Sequence, residues 1–185
     1  MTVRVFGYGS MMDAESAARA VGRPLGADDL VPSHLHGYRR TWSLKERVLA
    51  ESLGREVTAV FLDLEPAPAV RVNGVVVEVS DAAFEKLKLR EKNYDAVDVT
   101  ARVEGSPAPG SGTKVYTFVS KPAHRVSTGE PALFVMERYL EMVDRACRRL
   151  GPAFTRDYLA STGDAGYTRL PGRYTFVDPE QAKYV

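Results

Sequence analysis

Val3-Arg4-Val5-Phe6-Gly7-Tyr8-Gly9-Ser10-Met11 is the stretch on which the reading of this chain turns. A short apolar strand runs into a turn holding two glycines, a tyrosine and a serine. Glycine admits positive φ and lets another group come close to the main chain. Consecutive N–H groups in such a turn can converge on one point and hold a carboxylate or phosphate. Tyr8 and Ser10 add hydroxyls beside that point. Taken alone, the glycines read more simply as a tight strand-to-helix corner. Nucleotide motifs fit poorly. Met12 stands where G-x-G-x-x-G needs its third glycine, and no Gly-Lys-Ser/Thr follows.

Outward from the turn, Asp13 is placed to N-cap a helix over Ala14–Ala20, stopped by Gly22 and Pro24. A loop with Pro32 leads to a strand over Leu35–Ser43. Val57–Leu64 reads as a strand closed by Pro66 and Pro68, and Val70–Val79 as another, broken by a turn or bulge at Asn73-Gly74. Ser80-Asp81 caps a helix from Ala82 to about Arg90, with Phe84 and Leu87 on its apolar side. Tyr94–Val103 alternates, with Val97, Val99, Ala101 and Val103 on one face. It is expected to form a hairpin with Lys114–Val119 across the Pro/Gly/Ser loop Gly105–Gly112. Helical spacing from Phe134-Val135 through Ala146-Cys147 ends at Leu150-Gly151-Pro152. A shorter helix follows over Ala153–Ala160, and the tail from Ser161, with little periodicity, is expected to lie over the body. The pattern predicts one α+β domain over residues 1–185, a mostly antiparallel sheet with helices outside. Strands and helices do not alternate regularly enough for a doubly wound sheet.

Composition narrows the function. The 25 basic and 24 acidic residues nearly cancel, leaving +1, so no basic face for nucleic acid is expected. No apolar run approaches a membrane span, and Met1-Thr2-Val3-Arg4-Val5 lacks the apolar stretch of a signal peptide. The single cysteine, Cys147, rules out an internal disulfide framework and a Cys-rich zinc site. A cytoplasmic protein is the expectation.

A second constellation is Leu87-Lys88-Leu89-Arg90-Glu91-Lys92-Asn93-Tyr94, where the capped helix gives way to a strand. A carboxylate at a helix C-terminus faces the negative end of the dipole, which favours its neutral form. Desolvation of Glu91 would act in the same direction, toward the range useful for moving protons. Arg90 and Lys92 would oppose this if they folded over it, and a lone Glu there otherwise reads as a solvated helix end.

Phe6–Met11, then Gly37-Tyr38-Arg39-Arg40-Thr41-Trp42, then Arg90–Tyr94 followed by Val97-Asp98-Val99 together resemble the γ-glutamylcyclotransferase-like family, which includes the ChaC-type and AIG2-like proteins. Each motif is short and unspecific alone; the joint order carries the resemblance to about Ser120. It implies a small, mixed, mostly antiparallel β-barrel flanked by helices. It implies a reaction without metal or cofactor in which a γ-glutamyl compound closes to 5-oxoproline and releases an amine. Tyr8, Gly9, Ser10 and Met11 match the substrate-binding turn, Glu91 matches the catalytic glutamate, and Tyr139 looks like a family tyrosine that reaches the glutamyl group. Met11 stands where the family often has Leu or Asn. Ala96 replaces a basic residue of many relatives, which leaves the pocket rim or substrate choice open.

The expected partner is thus a small γ-glutamyl substrate, with neither nucleic acid nor membrane. Alternatives remain in a specialised enzyme that removes a γ-glutamyl group from a biosynthetic intermediate, a non-catalytic module for small anions, and, more remotely, a nucleotide-binding protein. Other candidates read more simply. His34 and His36 share a strand face but have no third ligand nearby. His124 reads as a solvated loop residue and Cys147 as core. Tyr38 and Trp42 read as core or pocket wall. Asp98 is a second acid pointing away from the apolar face.

Overall fold

The structure, a computed structural model, describes residues 2–105 and 112–182. Its centre is β1 (Thr2–Gly7), which lies antiparallel to the C-terminal half of β3 (Arg55–Ser80) and parallel to β5 (Val115–Ser120). With β2 (Val31–Ala50), β4 (Tyr94–Asp98) and β8 (Tyr174–Phe176), the order is β4-β5-β1-β3-β2-β8. β6 (Leu133–Met136) joins β3 in parallel, and β7 (Thr168–Leu170) joins β6. This is the expected mixed, mostly antiparallel sheet flanked by helices; among the described residues its ladder path stays open between β4 and β8.

The helices follow their sequence signals closely. Asp13 caps α1 (Ala14–Val21) by accepting from the Ser16 N–H at 3.1 Å, and Gly22 closes the helix in the left-handed region at φ 72°. Ser80 caps α2 (Asp81–Arg90) through the Ala83 N–H. α3 (Glu137–Leu150) buries Tyr139, Val143, Ala146 and Cys147, one stripe at helical spacing. α4 (Pro152–Ser161) and the short α5 (Pro179–Ala182) complete the set. No helix among the described residues is long and apolar enough to cross a membrane.

The strands depart from expectation in instructive ways. Pro32 lies inside β2, and Val57–Leu64 and Val70–Val79 are one strand running through Pro66, Pro68 and Asn73-Gly74. Pro32 is tolerated because β8 pairs only with Val48–Ala50, which leaves the far edge of β2 unpaired at Pro32. Around Pro68 the register passes from Tyr38↔Pro66 to His36↔Arg71, so the intervening residues bulge from the ladder. Asn73-Gly74 makes no turn. A Cβ on Gly74 would stand 2.5 Å from the Gly7 carbonyl oxygen and from the Phe6 ring, so the glycine lets β1 approach. Phe134-Val135 belongs to β6, with the helix beginning at Glu137. Tyr94–Val103 is strand only to Asp98, whose carboxylate accepts from the Thr100 N–H and hydroxyl and turns the chain. β4 and β5 pair as the expected hairpin. Their connection over residues 106–111 lies outside the described residues.

Candidate functional site

The turn after β1 is held from inside. The Met12 N–H donates to the Gly9 carbonyl at 2.9 Å, and the Asp13 N–H to the Ser10 carbonyl at 3.1 Å, winding Ser10–Met12 into one 3₁₀ turn. The Gly9 N–H makes no hydrogen bond to a described residue. Neither Gly7 nor Gly9 takes positive φ, so close approach is what these glycines supply. A Cβ on Gly7 would meet the Met11 Cβ at 2.6 Å, and one on Gly9 the Tyr139 hydroxyl at 2.8 Å.

The Tyr8 hydroxyl donates to the Phe118 carbonyl at 2.7 Å, tying the turn to β5. Burial pushes its phenol well above the usual value, with the nearby Asp63, Tyr139 and Glu91 adding to the effect, so it stays a donor. Tyr139 is packed edge-on by Phe61, with ring centroids 4.9 Å apart, and by Trp42 at 6.1 Å. That packing holds its hydroxyl against Gly9.

Glu91 is the C-cap residue of α2, its N–H donating to the Leu87 carbonyl and its own carbonyl accepting from the Tyr94 N–H. Its side chain keeps only 18% exposure. Burial raises its pKa, the Arg90 guanidinium 3.3 Å away opposes that rise, and the carboxylate of Glu46 reinforces it. Lys92 turns away to pair with Asp178. The two segments singled out in the sequence therefore meet. Tyr8, Gly9, Ser10, Met11, Glu91 and Tyr139 all line one cavity of about 50 Å³. A second cavity of about 100 Å³ shares Ser10, Glu91, Tyr94 and Tyr139 with the first and extends away from the turn.

That second cavity was hidden in the sequence. The tail supplies Tyr174, Phe176 and Gln181 to its wall, beside Phe61 and Glu46. Glu46 is buried; it accepts from Asn93 at 2.7 and 2.9 Å and from Gln181 at 3.1 Å. Tyr94 lines both cavities, three residues beyond Glu91 at the start of β4. Arg40 lies behind the turn, and β-strand alternation places it between Tyr38 and Trp42 on one face.

The remaining candidates lie elsewhere. His34 and His36 do share a face, and both contact Glu104, at 3.1 and 2.7 Å. Among the described residues no group of three or more ligating side chains is arranged for a metal ion. Asp98 is exposed and bonded to Thr100 and Lys114, which hold its pKa below the usual value. Cys147 is buried, and that burial pushes its thiol up to about 11.

Comparison with solved structures gives this arrangement a context. A structure named gamma-glutamyl cyclotransferase matches over 94% of this chain and 95% of its own, with a TM-score of 0.57 and 12% identity. The chain has the γ-glutamylcyclotransferase-like fold. The human protein loc79017 matches at a TM-score of 0.57 and 15% identity, over 93% of this chain and 94% of its own. YkqA from Bacillus subtilis matches at 0.57 and 23% identity over 84% of this chain, which spans only 52% of the YkqA chain. No family model matches the chain, and no curated protein matches it. In this fold the cavity beside β1 is formed where β1, α2 and α3 converge.

Proposed function

We propose that the protein is a γ-glutamylcyclotransferase, closing a γ-glutamyl compound to 5-oxoproline with release of an amine. The observation that carries this reading is the shared cavity: a turn with an available N–H and a desolvated glutamate line the same small space. The fold shared with a structure named for that activity supports it.

The substrate α-carboxylate sits on the N–H groups of the Tyr8–Met11 turn and the Ser10 hydroxyl. Glu91, as carboxylate, takes a proton from the substrate α-ammonium. The freed amine attacks the γ-carbonyl of the same molecule, forming the ring C–N bond and an oxyanion. The backbone N–H groups of the turn that the α-carboxylate leaves unused are the proposed donors to that oxyanion. Protonated Glu91 then gives its proton to the departing nitrogen as the original amide C–N bond breaks, and the second proton of the ring nitrogen passes to the released amine, which leaves as an ammonium. One carboxyl group serves as base and then acid, and a raised pKa suits both steps. Holding the glutamyl chain in its ring-closing shape is worth several kcal/mol, ~7–11 at the extreme for ideal orientation. The departing amine lies in the second cavity, between Glu46, Phe61 and the tail residues Tyr174 and Phe176.

The test is to incubate the protein with glutathione, γ-glutamyl dipeptides and γ-glutamyl-lysine and follow 5-oxoproline by mass spectrometry. At least one is expected to react, with Glu91→Gln inactive and folded. Binding without turnover by the wild-type protein would favour the non-catalytic module. Turnover retained by Glu91→Gln would remove Glu91 from its role.

A further inference from the structure

Arg40 is a buried guanidinium with no carboxylate among the described residues within ion-pair distance. Its bonds go to neutral groups instead. Nε donates to the Tyr8 carbonyl at 3.0 Å, Nη1 to the Thr162 hydroxyl at 2.7 Å, and Nη2 to the Asn73 carbonyl. The Tyr158 ring lies 4.6 Å from its carbon, a cation–π contact. Arginine stays charged even when buried, so a full positive charge stands directly behind the turn. Burying a charge without a counterion is unfavourable, and packing alone would be met better by an apolar side chain.

The consequence lies in peptide geometry. A trans peptide is planar, with its C=O and N–H pointing in opposite directions. Fixing the Tyr8 carbonyl on Arg40 aims the N–H of the same peptide, that of Gly9, the other way. Gly9 lines the cavity, and its N–H has no partner among the described residues. The guanidinium also polarises that peptide, strengthening the N–H as a donor. We infer that Arg40 is a positioning residue: it touches no substrate, but locks and polarises the Tyr8–Gly9 peptide so that the Gly9 N–H receives the substrate α-carboxylate. The carboxylate part of this role rests on the cyclotransferase reading of the cavity; the lock on the peptide does not.

The sequence supplies a selective probe. Of the nine tyrosines, only Tyr8 precedes a glycine. Labelling with carbonyl-¹³C tyrosine and ¹⁵N glycine therefore makes Tyr8–Gly9 the single peptide with a directly bonded ¹³C–¹⁵N pair. In wild-type protein its cross-peak is expected to move when 5-oxoproline, whose carboxylate stands for that of the substrate, is added. In Arg40→Met the ligand-free cross-peak should itself shift and its response to 5-oxoproline fade. KM should rise by about tenfold, as expected for loss of a charge-assisted bond, with kcat changed far less. Arg40→Lys keeps the charge without the fork and should lie between, which decides the matter if the Met variant does not fold.

An unshifted ligand-free cross-peak in the variants overturns the lock, whatever the protein does with γ-glutamyl compounds. A wild-type enzyme that makes 5-oxoproline while its Gly9 signal ignores that ligand overturns the carboxylate role. If no γ-glutamyl compound reacts and the variants still shift the ligand-free peak, the functional reading falls and the peptide lock stands.

Discussion

The hydroxyl of Tyr139 stands where a side chain on Gly9 would begin, 2.8 Å from the position of its Cβ. Tyr139 cannot easily yield, because Phe61 and Trp42 clamp its ring. Gly9→Ala should therefore push the hydroxyl aside or distort the turn. The expected result is a drop in activity of tenfold or more with a modest fall in Tm, about 2–4 °C per kcal/mol for a domain of this size. Tyr139→Phe in the Gly9→Ala background should recover part of the lost stability. A double-mutant cycle measures that coupling, and additive effects would mean the contact is not tight.

Glu91 makes a prediction with a defined sign. Its folded pKa is raised above the ordinary carboxylate value, chiefly by burial. The folded protein thus holds this proton more tightly than the unfolded chain, and stability falls as pH climbs from the unfolded pKa through the folded one. Glu91→Gln removes the loss. It should raise Tm at neutral pH, and the gain over wild type should vanish below the ordinary carboxylate range. The height of the gain at neutral pH reports how much more tightly the folded protein holds the proton. Thermal melts from about pH 3 to 8, a range chosen to bracket the reference carboxylate pKa of about 4.3, read the effect directly.

Activity should show the complementary dependence. In the proposed role of base, Glu91 must be ionised in the free protein, so kcat/KM should rise with pH along a limb displaced above the usual carboxylate range. Glu91→Gln should lose about 10²–10⁴-fold in rate, the usual contribution of a positioned acid–base group. A pH–rate profile with its acid limb at an ordinary carboxylate value would contradict the desolvation of this side chain.

Asp63 tests the scaffold under the cavity. It is fully buried and accepts from the Ser120 N–H at 2.9 Å, from the hydroxyls of Ser43 and Ser120, and lies 3.5 Å from Arg125. Asp63→Ala leaves those donors facing an apolar gap. A loss of roughly 3 kcal/mol is expected in urea unfolding, since breaking a buried charged network is among the costlier single changes.

Gly74→Ala sets backbone against backbone. The added methyl would meet the Gly7 carbonyl oxygen at 2.5 Å, and neither strand can swing away without losing ladder bonds. Overpacking of this kind typically costs about 1–3 kcal/mol. Because Gly7 leads into the turn, activity should fall along with stability. An active Gly74→Ala with an unchanged urea midpoint would show that β1 has room to move.

Local signals were legible wherever the cause was local. Asp13, Gly22 and Ser80 each act within a few residues, and each caps or closes its helix as its chemistry suggests. The glycine turn and the Glu91 helix end could be read for the same reason. Asn73-Gly74 misleads because its reason is distant: Asn73 serves Arg40 and the Phe154 carbonyl, and Gly74 makes room for β1. The prolines of β2 and β3 look like strand ends until the unpaired edge and the bulge are known. Phe134-Val135 fits either period, and its pairing with β3 and β7 decides it. The wall formed by Tyr174, Phe176 and Gln181 left no mark, since a short aperiodic tail carries little pattern.

That wall has a consequence for the life of the polypeptide. The turn at Tyr8 leaves the ribosome long before Phe176 does. Phe176 pairs with Val48 and packs over Phe61 at 5.5 Å, closing one side of the second cavity. A nascent chain ending before Tyr174 would hold the glycine turn and Glu91 yet present an open trough, where water could keep the carboxylate solvated. The chemical character of Glu91 would then be acquired late, as a property of the fully emerged domain rather than of its own helix.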